Sequence, residues 1–471
     1  MKLVYDVKDK PKFGQVIVFA IQQLLAIMAA TLVVPIIING NANLSEADQM
    51  SPAAALLGAG VGTIVYLLFT KSRSPVFLGS SFAFVGSMSA AFAGAASISI
   101  GYAGLIIGAI FAGFVYVIIA IIVKFVGVGW INKLMPPVVI GPTVAIIGLS
   151  LSTNAISDLQ KGDITDAAGV STANPLIAIL CGIVTLIVTV ICSTYGKKML
   201  KLIPFIIGIL AGYALSSVFT VIGLATGNEA LQLIDFGYFS DLVKDGFNIG
   251  TIFSLPDFTF MSAIDGISKI DANYILTVTI AYVPVAFVVF AEHLADHKNI
   301  SSIIEKDLLT DPGLSRTLLG DGVGSMAGAF FGGCPNTTYG ESVGCVAITK
   351  NASIVTLWAA AIGAIIIAFF SPFVAFVNSI PACVMGGICI ALYGFIAVSG
   401  LKMISGIDLG LNKNLFVVST ILVCGIGGLA LTFNLKNGTI SITSIAMALI
   451  LGIIVNLILK NSKEDSSDSQ D

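Results

Sequence analysis

The chain is built from apolar runs, most of them about as long as a helix needs to cross a lipid bilayer, set apart by polar connections. Crossing the hydrocarbon core takes roughly 20 predominantly apolar residues in a helix. Such runs fall near residues 15–38, 53–69, 76–92, 101–123, 137–152, 175–194 and 202–223, and again near 273–295, 314–332, 338–349, 353–377, 381–400, 415–433 and 439–459. With 56% hydrophobic and only 10% charged residues, against about 25% charged in soluble domains, the chain cannot hide its apolar surface in a water-soluble fold. It reads as an all-α membrane protein with fourteen transmembrane segments in a lipid bilayer.

The distribution of basic residues tests that count. If the N-terminus is cytoplasmic and sides alternate, all but four of the 23 lysines and arginines fall inside, leaving Lys161, Lys244, Lys269 and Lys436 outside. Cytoplasmic loops carry an excess of Lys and Arg, and a missed or invented span would move every later loop to the wrong side. Both termini are therefore expected in the cytoplasm and the protein in the cell membrane. Lys2, Lys8, Lys10 and Lys12 precede Val16–Ile38, a run too long for a signal-peptide core, so it is expected to remain as the first span.

Seven spans per half is an odd number, which inserts the second half upside down relative to the first, as in inverted-repeat transporters. Faint echoes fall at matching spans: Gln22-Gln23-Leu24 with Glu292-His293-Leu294, Ser80-Ser81-Phe82 with Thr337-Thr338-Tyr339, and Pro136 and Gly141 with Pro381 and Gly386. The expected organisation is residues 1–223 as the first repeat, 224–272 as an extracellular connection with an amphipathic helix near 258–270, 273–460 as the second repeat, and 461–471 as a disordered cytoplasmic tail.

Spans three and ten are short and interrupted, by Gly79-Ser80-Ser81 and by Gly332-Gly333-Cys334-Pro335-Asn336-Thr337-Thr338. Non-helical backbone at membrane depth is tolerated only where protein or a water-filled cavity satisfies it. Both spans read as half-helices preceded by extended segments, the pattern that marks a transporter's binding site. In span nine, Gly320, Gly324, Gly328 and Gly332 recur every four residues and read as a close-packing face.

Few ionisable residues lie within the spans. Glu292 follows the apolar run Val283–Ala291, and Glu341 lies inside span ten. A carboxylate in hydrocarbon costs several kcal/mol and is a functional hypothesis by default. For Glu292 the residues alone leave two readings open, a solvated position at the end of span eight or a place facing a ligand. His293 and His297, the only histidines, adjoin it with Asp296, and a His–carboxylate pair can relay protons. His297 is expected in solvent at the span's end, and Asp321 at the membrane interface. The seven cysteines read as packing residues, without a disulfide or metal-site pattern. A net charge of -3, with no basic run interleaved with aromatics, gives no reason to expect nucleic acid as a partner. No nucleophile–base or metal-ligand constellation points to an enzyme.

The stretches Ala291-Glu292-His293-Leu294, Lys306-Asp307-Leu308, Asp311-Pro312-Gly313-Leu314 and Pro335-Asn336-Thr337-Thr338-Tyr339-Gly340-Glu341 closely resemble the nucleobase/ascorbate transporter family, in its uracil permease branch. The sequence departs from the family pattern at Gln23 (usually His), Ser342 (usually Asn) and Asp296 (often His). The resemblance implies a core domain holding the ligand between spans three, eight and ten, and a gate domain from spans five to seven and twelve to fourteen. It implies proton-coupled uptake of uracil by movement of core against gate, with the proton as coupling ion, no cofactor, and a homodimer. It also implies Glu292, Glu341, Phe82, Gly340 and Tyr339 as substrate-binding residues, and Glu292, His293, Asp296 and His297 as proton-coupling candidates. Alternatives are a xanthine or urate symporter, an anion exchanger of the related sulfate and bicarbonate fold, and a non-transporting membrane sensor.

Overall fold

The computed structural model describes residues 3–127, 129–130, 135–166, 170–197, 199–244, 246–435 and 438–460. The tail expected to be disordered, 461–471, lies outside them. Helices occupy every expected apolar run. In chain order they are α1 (Phe13–Asn41), α2 (Pro52–Phe69), α3 (Val85–Ala93), α4 (Ile98–Val126), α5 (Pro137–Ser150), α6 (Pro175–Tyr195) and α7 (Pro204–Thr226). There follow α8 (Ala272–Ile304), α9 (Leu314–Gly332), α10 (Gly340–Thr349), α11 (Ile354–Ala368), α12 (Ala382–Ile404), α13 (Asn412–Ile426) and α14 (Ser444–Leu459). Among the described residues eight helices are long and apolar enough to cross a membrane. Their starts are written in the sequence. Ser51 caps α2 with Pro52 in its first turn, Ser97 caps α4, and the Asp271 carboxylate caps α8 by accepting from the Tyr274 N–H at 2.7 Å; each cap satisfies a donor that the first turn leaves free.

The fold is helical as expected, with extended segments at spans three and ten; the corrections concern the span ends. Among the described residues there are four short strands. β1 (Leu78–Ser80) pairs antiparallel with β2 (Asn336–Thr338), and β3 (Leu431–Leu435) pairs antiparallel with β4 (Gly438–Ile442). The second pair takes the end of the run expected as span thirteen: α13 stops at Ile426, beside Gly427 and Gly428, and Gly428 adopts a φ of +73° that ends the helix. Leu431-Thr432-Phe433 then favours an extended chain. Span eight runs nine residues further than expected, to Ile304, because the polar stretch after Glu292 stays helical and packed. Span eleven is broken into α11 and a short helix at Ser371–Asn378. The amphipathic helix of the long connection is present at Thr259–Ile267, packed on α4.

The helices pack in two groups. In one, α2 lies against α9 and α11, and α4 against α8 and α9, with α1 on α2 and α11. In the other, α12 lies against α5 and α6, α6 against α7, and α13 against α14 and α5. Small residues permit these contacts. A Cβ on Gly324 would come within 2.7 Å of the Gly62 carbonyl, and one on Gly400 within 2.3 Å of the Ala145 nitrogen. With hydrocarbon on the outside there is little hydrophobic drive between helices, so backbone proximity carries the packing. The span-nine glycine stripe faces α2, as its spacing indicates.

Candidate substrate-binding site

The site is organised by the two interrupted segments. β1 and β2 cross with Leu78 opposite Thr338, Gly79 opposite Thr337 and Ser80 opposite Asn336. The Ser81 N–H donates to the Pro335 carbonyl at 2.9 Å. Each extended segment thus satisfies the other's backbone in the protein interior, as non-helical chain at this depth requires. The Tyr339 hydroxyl donates to the Ser80 carbonyl at 2.6 Å, and its ring lies over Gly79, where a Cβ would meet ring carbons at 2.4 Å. The crossing is also pinned from helices α1 and α2. Thr63 Oγ1 accepts from the Leu78 N–H at 2.9 Å, and Ser342 Oγ accepts from both the Phe77 N–H at 2.9 Å and Gln23 Nε2 at 2.6 Å. Gln23 and Ser342, two positions where the sequence departs from the family pattern, therefore meet.

Helix α10 begins at Gly340, one residue after the crossing, and carries Glu341 in its first turn. Helix α8 presents Glu292 to the same space. Phe82, Glu292, Tyr339, Gly340 and Glu341 all line one small pocket, so the five residues expected to bind substrate are brought together. The second group of helices closes it through Val144 and Ile147 of α5 and Ile396 of α12, and the Phe82 ring meets the Tyr393 ring of α12 edge-on at 5.9 Å. A larger cavity of about 670 Å³ shares Val144, Glu292, Gly340, Glu341 and Ile396 with the pocket, and Asp296 lines this cavity as well. Glu292 is not a freely solvated span end: it is only partly exposed and lines both spaces.

The expectation that His297 is solvated is overturned: it is fully buried, as is His293, because α8 continues past it. The two imidazoles stack with centroids 4.0 Å apart, and neither lines the pocket or the larger cavity. His297 Nδ1 lies 2.8 Å from the His293 carbonyl, and its Nε2 lies 2.7 Å from the Tyr66 hydroxyl, which donates to Ser74 Oγ at 2.6 Å. Asp321 is likewise not interfacial. It is fully buried, with Oδ2 2.7 Å from His293 Nδ1, while Thr317 Oγ1 lies 3.0 Å from His293 Nε2. Asp296 Oδ2 accepts from Thr338 Oγ1 at 2.8 Å, which ties α8 to β2.

Sequence reasoning missed Asp321, Thr317, Tyr66 and Ser74 as the shell behind the site, and Thr337, Ser81, Val144, Ile147 and Ile396 as its walls. For Asp321 a signal existed, an acid within an apolar, glycine-striped run. Ser81 and Thr337 lay in the interrupted segments that mark the site, whereas Val144, Ile147 and Ile396 gave no signal, since an aliphatic residue facing a cavity reads like one facing a neighbouring helix.

Comparison with known proteins agrees with this architecture. A family model described as a permease family matches residues 14–434. The chain is 36% identical over 464 residues to the uracil permease of Bacillus caldolyticus, covering 97% of this chain and 95% of that protein. It is 34% identical to the uracil permease of Bacillus subtilis (strain 168), covering 100% and 98%, and 33% identical to that of Escherichia coli (strain K12), covering 96% and 93%. Among solved structures, the transmembrane domain of the cyanobacterial bicarbonate transporter BicA superposes with a TM-score of 0.59 at 14% identity, covering 96% of this chain and 99% of that one. The murine Solute Carrier 26 family member A9 anion transporter gives 0.61 at 10% identity, covering 96% and 69%; at such identities the likeness is one of fold. The chain is thus a permease and not an enzyme, and it belongs to the nucleobase/ascorbate transporter family, within which it groups with the uracil permeases.

Proposed function

We propose that this permease carries uracil into the cell, coupled to protons, by alternating access of one central site. The observation that carries the reading is the meeting of Glu292 and Glu341 in one pocket at the crossing of β1 and β2. Uracil alternates ring N–H donors with carbonyl acceptors, and needs acceptors and donors in turn. The carboxylates supply the first, and the free N–H groups at the start of α10 supply the second. An anionic group fits poorly within this small pocket, whose lining has two acids and no Lys or Arg. This disfavours anion exchange despite the fold shared with bicarbonate and anion transporters. A larger purine is the nearer alternative.

The packing supports two inverted repeats of seven spans. Elements seven apart lie against each other: α2 with α9, β1 with β2, and α5 with α12. Other contacts come in matching pairs, α2–α11 with α9–α4, α6–α12 with α13–α5, and α6–α7 with α13–α14. A two-fold axis in the membrane plane produces such pairs. In this reading the α1–α4 and α8–α11 group is the core, and the α5–α7 and α12–α14 group is the gate. An outer vestibule of about 620 Å³, lined by Asn39, Asn41, Asp158 and Asp163, does not reach the two glutamates, whereas the cavity bordered by Lys201, Lys298 and Lys402 does. Under the positive-inside rule this conformation is open to the cytoplasm. Glu292 and Asp296 face the cavity, and His293 and His297 stand behind them, as the groups that take up and release the coupling proton. Both termini are cytoplasmic, and two copies assemble as a dimer.

The test is uptake of radiolabelled uracil into proteoliposomes with and without an inward proton gradient, competed by thymine, xanthine, hypoxanthine and sulfate. Gradient-dependent uptake blocked by unlabelled uracil or thymine supports the reading. Uptake blocked only by purines, or only by sulfate, replaces it.

A further inference from the structure

The inner cavity has two chemically different ends. Its deep end holds Glu292 and Glu341; its mouth holds Lys201, Lys298 and Lys402, all exposed. The three lysines come from three elements, the connection before α7, helix α8 and helix α12, and so from both packing groups. No ion pair among the described residues takes up any of them. Asn299 and Ser399 lie among them as neutral hydrogen-bonding groups. A neutral nucleobase gains nothing from three ammonium groups, which recognise a compact anion as point charges. Six residues separate Glu292 from Lys298, or about 9 Å along the helix axis, a length comparable to that which a ribose places between a base and its phosphate.

We propose that the inner cavity binds a pyrimidine nucleoside monophosphate, its base toward Glu292 and Glu341 and its phosphate on Lys201, Lys298 and Lys402, and that this ligand competes with uracil from the cytoplasmic side. The inference rests on the reading of this cavity as the inward-facing uracil site. Because the lysines come from both helix groups, a bound phosphate bridges core and gate and holds the carrier inward-open. Intracellular nucleotide thereby slows further import.

The experiment uses purified full-length protein in nanodiscs of neutral phosphatidylcholine. Labelled uracil is displaced with uridine 5′-monophosphate, uridine, or inorganic phosphate. The monophosphate is expected to displace uracil at a concentration at least about tenfold below that of uridine, since each charge-assisted contact outweighs a neutral one, and inorganic phosphate alone should not displace it. In the triple variant Lys201→Gln, Lys298→Gln, Lys402→Gln the advantage over uridine should fall to about twofold or less, with uracil affinity within about twofold of wild type. Lys298→Gln alone gives an intermediate loss if the triple variant folds poorly. A monophosphate no better than uridine, an advantage that survives in the triple variant, or an equal loss of uracil affinity would each overturn the proposal. Nanodiscs containing phosphatidylglycerol separate the other source of phosphate: if anionic lipid changes uracil binding through these lysines and the monophosphate does not compete, a lipid headgroup is the occupant and the proposal fails. Calorimetric titration of wild type and the triple variant with the monophosphate reads the lysine site without uracil, so failure of the uracil reading and failure of this site are separately visible.

Discussion

His293 Nδ1 lies 2.7 Å from Asp321 Oδ2, and both side chains are fully buried between α8 and α9. Removing one partner of such a pair strands the other, at about 3–5 kcal/mol if it is charged and about 1–3 kcal/mol if neutral. Asp321→Ala should therefore lower stability by an amount in this range and Asp321→Asn by less, since the amide oxygen still accepts from the imidazole. Thermal unfolding in detergent measures both, and an Asp321→Ala protein as stable as wild type would remove the pair from the account.

Glu292 lines both the small pocket at the strand crossing and the larger inner cavity. A hydrogen bond to an ionised carboxylate contributes about 1.5–3 kcal/mol, so Glu292→Gln should weaken uracil binding by about tenfold or more and abolish accumulation against a gradient. Insertion into the membrane should be unaffected. Equilibrium binding together with proton-driven uptake checks this; normal accumulation by correctly inserted protein would take Glu292 out of the mechanism.

The Tyr339 ring occupies the space that a Cβ on Gly79 would need. Gly79→Ala should displace the ring, break the 2.6 Å bond from Tyr339 to the Ser80 carbonyl and nearly abolish uptake. Tyr339→Phe loses only that bond, about 1 kcal/mol, and should keep a reduced but measurable rate. Equal effects of the two substitutions would show that the hydroxyl, and not the ring's seat, matters.

Asp163 lies in the connection between α5 and α6, where Oδ1 accepts from the Ala382 N–H at the start of α12 at 3.0 Å. Burial pushes its carboxyl well above the usual carboxylate range. A raised pKa means that the folded state binds the proton more tightly than the unfolded one. The resulting stability is fully present below the ordinary carboxylate value and is lost as pH rises through the raised one. Asp163→Asn keeps the acceptor oxygen but cannot ionise, so it should be more stable than wild type at alkaline pH and show a flatter dependence of Tm on pH. Identical slopes would sink the idea.

The orientation is checked by labelling single cysteines in a cysteine-free background. Lys269→Cys should react with an impermeant reagent added outside whole cells, and Ser405→Cys only after permeabilisation. The reverse result would invert the topology, and reaction of both from the same side would break the fourteen-span count.

Amino-acid order alone settled roughly where the helices lie and that spans three and ten are interrupted, though not that span eleven breaks. Both follow from local hydropathy and from the polar, Gly- and Pro-bearing segments that interrupt it. It also picked out Glu292 and Glu341, since an acid in an apolar run is costly wherever it sits. Only the tertiary structure decided what surrounds them. His297 looked solvated because the residues after Glu292 are polar, yet α8 continues to Ile304 and buries it against Tyr66. Asp321 looked interfacial because it lies near the start of span nine; its partner, His293, is 28 residues away in sequence. The pairing of Leu78 with Thr338, about 260 residues apart, was no more legible, because strand register depends on how two distant segments meet in space and not on what either contains.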